Sequence, residues 1–266
     1  MDYVSASTLI DFYGQIDIFL VIFVRFFAFM VVVPIFSGQN IPVMLKLMIS
    51  LAVSAIVMSS GTVAAAAYGD TLIGYAILIL TEFLNGFIIG FVVYFMFSVF
   101  YLIGQLVDYQ LGFSMVSVFD PISQIQVPIT GNLFYLTVMM FFVIGGGLNY
   151  FIKLVFDSYA IIPLGHGNFT DPNLIGYMIT IMTRYFELGV IIALPVIGTI
   201  VIIDIALGLL IKAVSQMNIF VVGMPVKVFI GLIVLSFILP SLLESYRVVL
   251  ESAAQYAGYV IRRLAS

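Results

Sequence analysis

Long apolar runs alternate with short polar punctuation along this chain. The first run covers roughly Ile18 to Phe36 and ends near Pro34. The polar turn Ser37-Gly38-Gln39-Asn40, followed by Pro42, separates it from a second run, Val43 to Met58. Ser59-Ser60-Gly61 close the second run, and a small-residue connection with Ala64 to Ala67 and Gly69-Asp70 follows. A third run, Leu72 to Val107, contains no proline and one charged residue, Glu82. As a single helix it would reach about 54 Å, nearly twice the hydrocarbon thickness of a bilayer. It must tilt, break, fold back as a hairpin or project beyond the membrane.

Further on, Leu111 to Val118 is a short apolar run, and Asp120-Pro121 through Val127-Pro128 interrupts it. Leu133 to Ile144 is apolar again and meets Gly145-Gly146-Gly147. Each glycine weakens a helix by about 1 kcal/mol relative to alanine, so the triplet predicts a break or hinge. A second piece continues from Leu148 to Ile162, and Pro163 to Pro172 reads as a surface loop. Leu174 to Ala213 is a second overlong run, which Pro195 should kink by removing a backbone donor. After the polar stretch Gln216 to Lys227, Val228 to Leu239 is apolar and Pro240 is expected to end it. Ser241 to Ser266 alternates charged and apolar residues and predicts an amphipathic terminal helix.

Composition sharpens this picture. The chain is 64% hydrophobic and 8% charged, against about 25% charged in soluble domains. It reads as an integral membrane protein or the core of a membrane assembly. Six to eight helices of about 20 residues each would use nearly the whole chain and leave no soluble catalytic domain. The net charge of −4 comes with no basic patch, which argues against nucleic-acid binding. Cysteine is absent, which excludes disulfides and thiolate metal sites. With no tryptophan, an interfacial belt must use the 15 tyrosines. Asp2, Asp11 and Asp17 stand where a cleavable signal has positive charge, so the first apolar segment is expected to be retained. Lys212, Lys227, Arg247, Arg262 and Arg263 come late, which favours an external N-terminus and a cytoplasmic C-terminus. Six simple spans would put both ends on one side. Either one segment is a hairpin or half-span, or simple span counting does not apply.

Several constellations carry more than hydropathy. Glu82, Gly86 and Gly90 share one helical face, and small residues four apart allow close helix contact in membranes. The face serves a subunit interface, packing within the chain, or a proton path. Asp108, Gln110 and Asp120-Pro121 flank Phe113 to Phe119 and mark either a substrate path or a loop at the membrane edge. Arg184 and Glu187 are placed to pair along one helix, and Asp204, Gly208 and Lys212 share a face that suits an ion pair. Val107 to Gly112 weakly echoes Ile203 to Gly208. His166 is the only histidine and sits in a glycine-rich loop, a poor setting for a metal. There is no phosphate-binding loop and no nucleophile elbow, so the reading is not an enzyme and requires no cofactor.

The stretch Gln216-Met217-Asn218-Ile219-Phe220-Val221-Val222-Gly223-Met224-Pro225-Val226-Lys227 sets polar groups, a glycine and a proline between apolar segments. Lipid does not tolerate loose polar groups there, so the stretch must pack on protein or line a wet cavity. Together with Ala193-Leu194-Pro195, Asp204 to Gly208 and Gly231-Leu232, it resembles the signature of the FliR family. That family is the export-gate subunit of bacterial flagellar type III secretion and is similar to SctT of virulence injectisomes. Glu82, Gly86, Gly90, Gly104, Asp108, Gly112, Asp120-Pro121 and Pro128 look like its central motif. Lys212 and Ser215 stand where the family commonly has Arg and Pro, which leaves the local helix ending open.

The resemblance implies an all-α polytopic membrane protein with overlong, broken helices and helical hairpins, assembled into a multi-subunit helical export gate. It implies one integral-membrane domain over 1–266, roughly 1–170 resembling FliP and 171–266 resembling FliQ with the amphipathic C-terminal helix. The implied partners are FliP and FliQ subunits, FlhB, translocated flagellar proteins and membrane lipid, with no nucleic acid, at the inner membrane and the flagellar basal body. It also implies a pore plug formed by Phe113, Ser114, Met115, Val116, Ser117, Val118, Phe119, Asp120, Pro121 and Pro128. Subunit interfaces or packing are expected at Glu82, Gly86, Gly90, Asp108, Asp204, Gly208, Gln216, Asn218, Phe220, Gly223, Pro225 and Lys227. Two other readings stand beside it. One is an ion-coupled secondary transporter using Glu82, Asp108 and Asp204, and the other a scaffold without pore contact.

Overall fold

The computed structural model describes residues 6–38, 41–61, 63, 71–113, 128–214 and 219–265, with the side chains of 6–14, 211, 219–220 and 241–243 excepted. Among the described residues there is no β-strand. The helices are α1 (Ala6–Val32), α2 (Pro34–Ser37), α3 (Val43–Ser59), α4 (Leu72–Leu111), α5 (Ile129–Ile144), α6 (Gly147–Ile161), α7 (Pro172–Ala213) and α8 (Ile219–Ala265). The all-α, polytopic character legible in the apolar runs is what the chain has.

Its helices are fewer and longer than hydropathy suggests. Among the described residues four are long and apolar enough to cross a membrane, or five if the broken pair α5–α6 is one span, against the six to eight that run length alone allows. The reason is length. Helices α4, α7 and α8 have 40, 42 and 47 residues, or about 60–70 Å each. The Leu72–Val107 run neither breaks nor folds back. Within the polar stretch Gln216 to Lys227, residues 219–227 are helical, and Gly223 and Pro225 lie inside α8. Pro240 likewise sits within α8 instead of ending it. A proline forfeits one backbone donor, and in a helix this long the flanking turns carry the element through. Pro195 is similarly contained in α7.

The glycine triplet does break the chain. Gly146 takes a left-handed conformation at φ 76° that side chains resist, separating α5 from α6. Gly112, at φ 86°, ends α4.

The chain divides into two compact units. The first comprises 1–94, 146–181 and 253–266. Its core joins Ile22, Phe26 and Phe29 of α1 to Ile89 and Val92 of α4 and Phe151 and Val155 of α6. Gly86 lies against Arg25 and Ala28, and Gly90 against Phe29 and Val32, so α1 and α4 run parallel. Tyr159 reaches Ile22 while Phe151 meets Phe29 edge-on at 6.0 Å, so α6 runs antiparallel to α1. The second unit comprises 95–145 and 182–252. There Phe97 meets Phe142 at 5.3 Å and Gly104 abuts Gly131, making α4 and α5 antiparallel. Ile200 meets Gly231 and Asp204 meets Lys227, making α7 and α8 an antiparallel hairpin.

Candidate functional site

The strongest polar feature in the first unit is a buried ion pair. Arg25 of α1 and Glu82 of α4 both have side chains at 0% exposure. Nε of Arg25 donates to Oε2 of Glu82, and Nη2 donates to Oε1 at 3.0 Å. The other guanidinium hydrogens go to the end of α6. Nη1 donates to the carbonyls of Ser158 and Ile162, each at 3.2 Å, and Nη2 also donates to Ile162 at 3.2 Å. Helix C-termini expose unpaired carbonyls and a partial negative charge, so a cation there is favourable. The Tyr159 ring stacks on the guanidinium at 4.5 Å, and its hydroxyl donates to the Ile22 carbonyl at 2.7 Å. Glu82 Oε1 further accepts the Gly165 N–H at 2.8 Å, and Asn85 donates to the His166 carbonyl at 2.8 Å. The pair therefore also holds the 162–171 loop. From the other side that loop takes the end of α8: Asn168 N–H donates to the Leu264 carbonyl at 3.0 Å, and Arg263 lies 3.8 Å from Asp171.

Gly86 and Gly90 serve this same contact. A Cβ on Gly86 would overlap the Arg25 carbonyl, and one on Gly90 would lie 3.1 Å from the Phe29 carbonyl. The Glu82-Gly86-Gly90 face is thus packed within the chain against α1.

In the second unit the polar centre is Asp108, buried near the end of α4. Its carboxylate accepts the Thr130 N–H at 3.0–3.1 Å and the Gly131 N–H at 3.4 Å. Gly104, one turn earlier, leaves no room for a Cβ against the Gly131 backbone. Along the α7–α8 hairpin, Asp204 pairs with Lys227, not with Lys212 on its own helix. Arg184 Nη1 donates to Glu187 at 2.9 Å, and this pair is exposed. Gly208 is exposed and a Cβ there would meet nothing. Gly223 is buried and Pro225 exposed.

Phe113 and Pro128 bracket the expected plug and are both half-buried. Ser114, Met115, Val116, Ser117, Val118, Phe119, Asp120 and Pro121 lie outside the described residues, as do Gln216, Asn218 and the Phe220 side chain. Among the described residues no group of three His, Asp or Glu side chains is arranged to hold a metal. The outer surface is strongly apolar, with Ile175, Phe186 and Ile202 of α7 and Val221, Phe229 and Phe237 of α8 exposed. Patches of this extent mark contact with lipid or with other protein.

Residues 16–253 match the family described as Bacterial export proteins, family 1. The chain belongs to this family. Among relatives of this export-family chain is the flagellar biosynthetic protein FliR of Bacillus subtilis, 27% identical over 219 residues, 82% of this chain and 84% of the relative. FliR of Aquifex aeolicus is 28% identical over 223 residues, covering 83% and 84%. The secretion system apparatus protein SsaT of Salmonella typhimurium is 29% identical over 171 residues, covering 64% and 66%. The export-family chain is accordingly a membrane protein of a protein-export class.

What reading the sequence missed was Arg25 as the partner of Glu82. The signal was present. Arg25 is the one charged residue between Ile18 and Phe36, and an ionisable group within an apolar helix needs a partner. The matching carboxylate is the single charge of the Leu72–Val107 run. Ser158 and Ile162 could not be foreseen, because they contribute backbone carbonyls.

Proposed function

We propose that this chain is a subunit of a flagellar type III protein export gate in the bacterial inner membrane, at the flagellar basal body. With FliP and FliQ subunits it forms the channel for unfolded flagellar proteins, and FlhB docks at the cytoplasmic entrance. Kinship with a bacterial export family over residues 16–253 is the observation that carries this reading. Relatives named FliR and SsaT point to the same class of apparatus. Helices of 40 to 47 residues outrun a bilayer, which suits elements stacked in a multi-subunit assembly. Residues 1–170 form its FliP-like part and 171–266 its FliQ-like part.

The Phe113–Pro128 connection plugs the closed channel. Its Phe, Met and Val side chains suit an adaptable apolar seal that blocks ions by dewetting. Glu82, Gly86, Gly90 and Asp108 serve packing within the subunit, whereas exposed Gly208 and Pro225 suit contact with neighbours. The transporter alternative draws little support, because Glu82, Asp108 and Asp204 each already have a partner inside the chain. Native mass spectrometry of the chain co-expressed with FliP and FliQ in mild detergent tests the proposal. A discrete complex of all three is expected. A lone, monodisperse chain would overturn it.

A further inference from the structure

Helix α5 begins without a cap of its own. Its N-cap residue is Pro128, which makes no side-chain hydrogen bond to the helix. The orphan amides of the first turn, at Thr130 and Gly131, are those that a capping Ser, Asp or Asn normally satisfies. They go instead to the carboxylate of Asp108 on α4, at 3.0–3.1 Å for Thr130 and 3.4 Å for Gly131. Asp108 and Thr130 are both buried. A buried carboxylate needs such donors to offset its desolvation, and the positive end of the α5 dipole favours it further. The approach is possible because Gly104 and Gly131 let the two backbones touch.

We infer that Asp108 is a latch: it caps α5 in trans and holds the first turn of α5 onto the last turns of α4. Its release lets the two helices part. That the latch also governs ion tightness rests on the plug reading above. In that role Asp108 is a positioning residue, acting through the backbone it holds.

The chain has no native cysteine, which makes site-specific labelling clean. Tyr109 and Ile129, 77% and 63% exposed, flank the latch on either helix. Spin labels at Tyr109→Cys and Ile129→Cys, in the full chain within its assembled complex, are expected to give a narrow distance distribution. Asp108→Ala is expected to broaden it and to speed exchange of the Thr130 and Gly131 amides about fivefold to tenfold, the size of a lost cap. Exchange at Val138 and Phe142, in the α5 core, stays unchanged. Asp108→Asn keeps one acceptor oxygen, preserves shape and falls between the two, which covers the case that the alanine variant does not assemble. Unchanged exchange and an unchanged distance distribution overturn the latch. Loosening accompanied by potassium efflux from cells carrying the assembled variant supports both the latch and the plug. Loosening without efflux supports the latch and overturns the plug reading.

Discussion

The Arg25 guanidinium and the Glu82 carboxylate meet across α1 and α4 with neither side chain reaching solvent. Removing one partner leaves the other charge buried and unpaired, at a cost of about 3–5 kcal/mol. Arg25→Ala and Glu82→Ala are each expected to abolish or sharply lower recovery of folded protein. The double variant Arg25→Met, Glu82→Leu should recover much of the loss, since neither charge remains. Thermal unfolding of purified protein checks this. Singles as stable as the parent would show that the pair is not the anchor of this unit.

Gly86→Leu is expected to fail where Gly208→Leu succeeds. The first forces a side chain into the Arg25 carbonyl, while the second enters open space. Yield of monodisperse monomer in detergent separates the two. Loss of gate assembly with normal monomer yield for Gly208→Leu would place that glycine in a contact between subunits.

Lys227→Glu sets two carboxylates against each other in the α7–α8 hairpin. The pair is half-exposed, so the loss should be modest, up to about 1 kcal/mol. Adding Asp204→Lys restores opposite charges and should recover the melting temperature. If the double variant melts no higher than Lys227→Glu alone, the pairing within the chain has no energetic role.

Deleting Ser114 to Ser117 tests the plug directly. Cells carrying the assembled gate are expected to leak small ions, read as potassium efflux or loss of membrane potential. Unchanged permeability in an assembled gate would sink the assignment.

The fold was legible where composition acts alone. Val43–Ser59, the Gly145-Gly146 break and the 162–171 loop follow from apolar runs and backbone freedom, and sequence reading placed them within a residue or two. It stumbled on one proline. Pro240 reads as a helix end in the sequence, but it lies inside α8, because one missing donor does not end a helix of 47 residues. At the polar centres Glu82 and Asp108 were marked as special by their apolar surroundings. Their partners were not, because Thr130, Gly131 and Gly165 bind through the backbone N–H that every residue but proline has.

The first compact unit is assembled from three separate stretches, and its last stretch begins at residue 253. Tyr256 and Tyr259 pack on Tyr177 there, and Leu264 receives the Asn168 amide. On the ribosome these residues emerge only after all of 182–252 has been made. Domains fold as units during synthesis, but this one must wait with its 162–171 loop half-held while the other unit is inserted. Truncation just before residue 253 should therefore damage the part of the protein made first.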